Sequence, residues 1–202
     1  KLELDAHHRV LEIGTGWGGF ALHAARTRGC RVTTTTISRE QHALARDRVA
    51  KAGLEDRVEV LLEDYRDLRG RYDRLVSIEM IEAVGLKHLP HFFEVCASRL
   101  VDDGAMAIQA ILVPERFWEY SKRSVDFIKR YIFPGCCIPS VGAITGSVAR
   151  STDLALVHLE DIGEHYATTL RIWHERFVAR RAQVQAQGYS DEFIRMWEFY
   201  LS

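Results

Sequence analysis

No stretch of the chain is apolar for long enough to cross a bilayer, and no leader-type segment precedes the first element, so any membrane contact is expected to be peripheral. Charge of one sign is missing too: 27 Lys and Arg stand against 28 Asp and Glu, and the two signs are interspersed, which removes the global argument for a nucleic-acid partner. Cysteine is scarce. Cys30, Cys96, Cys136 and Cys137 are unevenly spaced and form no Cys-x-x-Cys pair, which argues against a disulfide framework or a zinc site and for a reducing, cytoplasmic setting. The adjacent Cys136 and Cys137 read as small packing groups. The nine histidines have no metal spacing; His7, His8, His88 and His91 read as surface or loop residues, and no metal is expected. There is no internal repeat, no low-complexity linker and no initiator Met, and the chain begins almost at a core strand, so it reads as a fragment.

What is present is a core. At 202 residues and 47% hydrophobic, the chain fits one globular domain able to bury it. Strand-like runs at 9–13, 31–36, 58–62, 74–78 and 105–111 alternate with helical patterns at 19–28, 39–52 and 89–100. That alternation predicts an α/β fold, a parallel sheet covered by helices on both faces. Ser38 is placed to cap the second helix and Gly53 to stop it. Residues 114–150 read as a helical, aromatic lid insertion over the ligand edge, with a helix from Trp118 to Tyr131 and a turn-rich PGCCIPS. A short strand at 154–160, a long helix near 165–187 and a last helix after Ser190 follow.

The most informative stretch is VLEIGTGWGGFA, residues 10–21, a strand running into a glycine turn and then a helix. Gly14, Gly16 and Gly18 remove side chains that would hold a ligand off the backbone, and Glu12 offers a carboxylate at the strand end. A nucleotide-type cofactor is implied, and Gly19 leaves a dinucleotide open by spacing. The loop after the second strand, TTISREQ, carries no acid for a ribose, which counts against NAD; Thr36, Ser38 and Gln41 would bond the cofactor instead. After the third strand, Asp64 and Tyr65 would bind and stack an adenine, or serve as a turn residue and a rim contact.

Along nearly its whole length the chain resembles the cyclopropane-fatty-acyl-phospholipid synthases and their mycolic-acid relatives, which use S-adenosylmethionine. The resemblance rests on VLEIGTGWGG, TISREQ, EDYRDL, YDRLVSIEMIEAVG (72–85), DFIKRYIFPGCCIPS (126–140) and YATTLRIWHERF (166–177). It implies a Rossmann-like class I methyltransferase with a mostly parallel seven-stranded sheet, helices on both faces and a helical lid insertion, a fragment being free to lack the last strand. It places the cofactor on Gly14, Gly16, Thr36, Ser38, Gln41, Asp64 and Tyr65, with Ile78 beside it. The implied substrate is an unsaturated phospholipid acyl chain, drawn from a bilayer surface into an apolar tunnel; a homodimer is compatible with the family.

An isolated alkene is a poor nucleophile, so the methyl donor must be held against it in a dry site. Methyl transfer leaves a carbocation, which aromatic faces stabilise; Trp118, Tyr131, Phe133 and Tyr166 are the candidates. The resemblance further implies that a bound bicarbonate removes the proton for ring closure, at Glu82, Gln109, the Ile111 backbone and Tyr166. Two departures stand out. Ring-forming members have His at Gln109 and Glu-His at Glu82-Ala83, and the family's bicarbonate-binding cysteine falls in a segment that would precede Lys1. The variants resemble a branch that methylates or methylenates an acyl chain without closing a ring. A small-molecule N-methyltransferase and a non-catalytic relative are the rivals.

Overall fold

The computed structural model of the protein describes residues 1–202, and the chain divides into two compact units. One comprises Lys1–Arg123 with Cys136–Ala155; the other comprises Ser124–Gly135 with Leu156–Ser202.

In the first unit the order is β1 (Arg9–Ile13), α1 (Gly19–Arg28), β2 (Arg31–Thr36), α2 (Arg39–Lys51), β3 (Val58–Leu62), β4 (Tyr72–Ile78), α3 (Leu89–Arg99), β5 (Leu100–Gln109), α4 (Trp118–Arg123) and α5 (Val141–Ser151). The strands form one sheet in the order β3-β2-β1-β4-β5, with every pairing parallel. Period-two alternation sorts β1 between two cores. Leu11 and Ile13 join Leu75, Leu89, Phe92, Phe93 and Cys96 on the α3 side. Val10 joins Ala21, Ala24, Ala25, Val32 and Val49 on the α1 and α2 side, where three alanines let α1 approach the sheet closely. Phe92 and Phe93 are wholly buried and meet edge to face at 5.3 Å, each contributing about 1.5–3 kcal/mol by burial.

Helix ends follow their local chemistry. Ser38 Oγ accepts the Gln41 N–H at the start of α2. Gly29 ends α1 at φ 70°, a left-handed conformation glycine tolerates, with its N–H on the Ala25 carbonyl. The strand order reverses between β1 and β4, so the crevice beyond their carboxyl ends is where an open α/β sheet receives a ligand.

The second unit holds a π-helical turn (Ile128–Ile132), α6 (Gly163–Ala179), α7 (Arg181–Ala186) and α8 (Asp191–Leu201). Its aromatic residues pack on α8: Phe127 on Phe199 at 5.1 Å, Phe133 on Trp197 at 6.4 Å and on Tyr200 at 5.7 Å.

Several expectations are corrected. The sheet has five strands, not seven, and 154–160 forms none. A strand needs a ladder partner for its backbone; this segment has no partner strand, and Leu156, Val157 and Leu159 stay exposed. The helix expected from Trp118 to Tyr131 stops at Arg123. Asp126 then takes the Lys129 N–H on its own carboxylate, a local bond that competes with helix continuation and restarts the chain as the π-helical turn. The long helix near 165–187 is two, α6 and α7, separated at Arg180, where no residue type marks the break. The segment 114–150 is shared between the units, and its last part, α5, packs on α3 through Ile144 and Val148.

Candidate active site

The turn after β1 is held from beneath. Gly14 N and Thr15 N both donate to the Thr35 carbonyl, at 3.1 and 2.9 Å, and Gly18 N donates to Thr15 O at 2.9 Å. Gly14 (φ 97°), Gly16 (φ 50°) and Gly18 (φ 80°) are all left-handed. A Cβ on Gly14 would come to 3.1 Å from Met80 and one on Gly18 to 3.3 Å from Ala45, whereas one on Gly16 would meet nothing within 4 Å. Gly14 and Gly18 are therefore packing glycines as well, and Gly16 faces open space at the switch point.

Glu12 lies lower than expected. Its carboxylate is buried; Thr34 Oγ1 donates to Oε2 at 2.6 Å and shares a 2.8 Å hydrogen bond with Thr15 Oγ1. Burial pushes its pKa up to about 7, against the Thr34 hydrogen bond that lowers it. The Glu12–Thr34–Thr15 chain ties β1, β2 and the turn together, so Glu12 supports the turn from within the sheet.

The second and third loops are also internally bonded. Thr36 Oγ1 donates to Gln41 Oε1 at 2.7 Å and accepts the Ser38 N–H at 3.1 Å, while Ser38 Oγ caps α2. Asp64 is forked to Arg66 at 2.9 and 2.7 Å, which holds its carboxyl below the usual range. Tyr65 packs edge-on against Phe92 at 5.4 Å, and burial raises its phenol pKa. Ile78 ends β4 with 39% of its surface exposed.

The acid group is assembled from β4, β5 and the segments that follow them. Glu82 sits in a short 3-10 turn (Ile81–Ala83) and is buried. Its Oε1 accepts the Ile111 N–H at 2.6 Å, and its buried Oε2 has no hydrogen-bond partner. Burial raises its pKa, with the nearby Glu79 charge adding to the rise. The Cys137 N–H donates to the Glu82 carbonyl at 2.8 Å, so the chain at Cys137 is anchored on this turn. Gln109 turns elsewhere: its Nε2 donates to Glu79 Oε1 at 2.8 Å, and the Glu79 N–H donates to the Gln109 carbonyl, also at 2.8 Å. Glu79 has φ 50°, rare for a residue with a side chain.

Glu82 and Ile111 are thus brought together, while Gln109 pairs with Glu79. Tyr166 belongs to α6 in the second unit, where it meets Trp173 edge-on at 6.4 Å. Trp118 belongs to the first unit, with Lys122 over its ring at 5.3 Å. Reasoning from residue types passed over Glu79, Thr34 and Met80. Glu79 did carry a signal, as a carboxylate directly after an apolar strand.

The family model for mycolic acid cyclopropane synthetase matches residues 1–202, the whole chain. The chain belongs to this family. Among curated relatives, the tuberculostearic acid methyltransferase of Mycobacterium tuberculosis is 45% identical over 193 residues, covering 96% of this chain and 45% of the relative. The cyclopropane-fatty-acyl-phospholipid synthase of Escherichia coli K12 is 38% identical over 203 residues, 100% of this chain and 50% of the enzyme. This family member therefore spans about half the length of the curated relatives it matches. A mycolic acid cyclopropane synthase crystallised with SAH and CTAB superimposes with a TM-score of 0.89 at 26% identity, over 99% of this chain and 73% of that one.

Proposed function

We propose that this chain is the core of a methyltransferase that transfers the methyl group of S-adenosylmethionine to the double bond of an unsaturated acyl chain of a phospholipid. The observation that carries the reading is the juxtaposition of an open cradle at Gly16 with a buried, half-satisfied carboxylate at Glu82, both just beyond the carboxyl ends of neighbouring strands. The residues fit the cofactor: the direction a Cβ would take at Gly16 is empty, and Asp64, Tyr65 and Ile78 stand at the ends of β3 and β4. When bound there, the sulfonium supplies an electrophilic methyl group. Relatives matching this chain are named as methylating or cyclopropanating lipids, which supports an acyl acceptor.

An alkene held against that methyl group would accept it on its π pair as the carbon–sulfur bond broke, and the acyl chain would be left with a cation for this protein's own groups to manage. The cation then loses a C–H proton. Glu82 is the acceptor: desolvation raises its proton affinity, Ile111 fixes one oxygen, and the other oxygen has no competing donor. Ring closure and methylene formation both release that proton and both add one CH2 to the chain.

Bicarbonate is not part of this route. Of the groups expected to hold it, the Ile111 N–H is on Glu82 and a Gln109 N–H is on Glu79, so an anion there would meet two carboxylates. That arrangement does not fit the ion. The test is methyl transfer by the full-length protein from labelled S-adenosylmethionine to vesicles of unsaturated phospholipid, with saturated vesicles as control. Label confined to unsaturated chains supports the reading; equal label in both, or none, rejects it.

A further inference from the structure

The connection between the ends of β4 and β5 depends on a residue in an unfavourable conformation. Glu79 follows β4 at φ 50°, a left-handed conformation that a residue with a side chain adopts only where its surroundings impose it. What imposes it is a two-point clamp: the Glu79 N–H donates to the Gln109 carbonyl, and the Gln109 amide Nε2 donates to Glu79 Oε1. A carboxylate only accepts, so it dictates which end of the Gln109 amide faces it. The amide nitrogen turns to Glu79, and the amide oxygen is presented on the other side. The Glu79 charge also acts on Glu82, three residues on.

We propose that Glu79 is a positioning residue: it orients the Gln109 amide and, with Glu82, makes the ends of β4 and β5 an acceptor-rich, negative environment that favours a cation and excludes an anionic base such as bicarbonate. The inference rests on the proposed methyl transfer. Its logic is electrostatic. A carbocation, or the sulfonium that precedes it, is stabilised by fixed carbonyl and carboxylate oxygens that need no reorganisation when charge develops. The same oxygens repel an anion. A fixed acceptor at Gln109 is of use to the first and of none to the second.

The experiment uses the full-length protein with two variants, Glu79→Gln and Glu79→Gly. Glutamine keeps the size but loses the charge, and it accepts or donates, so the Gln109 amide is free to turn. Glycine removes the side-chain half of the clamp, keeps the backbone N–H that donates to the Gln109 carbonyl, and suits φ 50°. Line broadening of 13C-labelled bicarbonate is measured on protein saturated with S-adenosylhomocysteine, and turnover is measured in carbonate-free buffer with and without added bicarbonate. The wild type is expected to show no broadening and equal turnover. Glu79→Gln is expected to lower kcat about tenfold with little change in KM, as for a lost charge-assisted contact made in the transition state. Combined with Gln109→His, Glu79→Gly is expected to broaden the bicarbonate signal and to gain turnover when the ion is added. Broadening by the wild type, or wild-type kcat in Glu79→Gln, overturns the proposal. If the wild type methylates no lipid, the functional reading fails by itself, and the bicarbonate signal still decides the role of Glu79.

Discussion

The backbone N–H of Ile111 reaches Glu82 Oε1 at 2.6 Å across 29 positions of sequence, and it fixes a buried carboxylate whose other oxygen is left without a donor. No cation is in contact to hold the ionised form, which sets it apart from a structural ion pair and suits the base proposed above. Removing the acidic group should therefore cost activity more than stability. Glu82→Gln in the full-length protein is expected to lower turnover about a hundredfold or more, within the range for loss of a positioned base, with cofactor affinity by calorimetry nearly unchanged. Wild-type turnover in this variant would remove Glu82 from the mechanism.

In the proposed mechanism the same carboxyl sets the pH dependence of the rate. Its pKa is raised by burial and by Glu79, and a base works only when ionised. Turnover should rise with pH through a midpoint above the ordinary carboxylate range, and Glu79→Gln should shift that midpoint down. An unshifted midpoint would show that the limb belongs to another group.

Glu12 makes a separate prediction about stability. Its folded pKa is about 7 against 4.5 in the unfolded chain, so its contribution is fully present below pH 4.5 and declines as pH rises to about 7. The cost at the upper end is roughly 3 kcal/mol by linkage. Glu12→Gln keeps an acceptor for Thr34 and removes the titration. Denaturant unfolding should show the variant gaining on the wild type as pH rises through this window; parallel curves would contradict the burial account.

Gly16 and Ser38 separate ligand contact from support. Gly16→Val places a branched side chain in the open cradle at φ 50° and should weaken cofactor binding at least tenfold, about 1.4 kcal/mol. Ser38→Ala removes the cap of α2 and should cost about 1 kcal/mol of stability. Calorimetry on both variants, with melting curves alongside, distinguishes the two roles.

Much of the fold was legible because its signals are local. The bounds of β1, α1, β2 and β3 follow apolar runs and glycine stops, and Ser38 and Ser190 cap where residue type predicts. Glycine and carboxylate types likewise marked the turn and Glu82. What was not legible depends on partners distant in sequence. Residues 154–160 alternate like a strand, but no strand adjoins them. Glu12 reads as a ligand group by type, while its hydrogen bond to Thr34, 22 residues away, has no local signal. Gln109 reads as an anion donor by type, and the contact its amide makes, with the carboxylate of Glu79, 30 residues away, has no local signal.

The central claim is that a methyl group is added to an acyl double bond and one of its protons is then removed. Full-length protein, incubated with trideuteromethyl S-adenosylmethionine and unsaturated phospholipid vesicles, tests it through the mass of the released fatty acids. The account predicts product chains that carry the new carbon with one deuterium lost, formed at least about a hundredfold more slowly by Glu82→Gln. Chains retaining all the deuterium, or unmodified lipid from an enzyme that binds its cofactor, would contradict it.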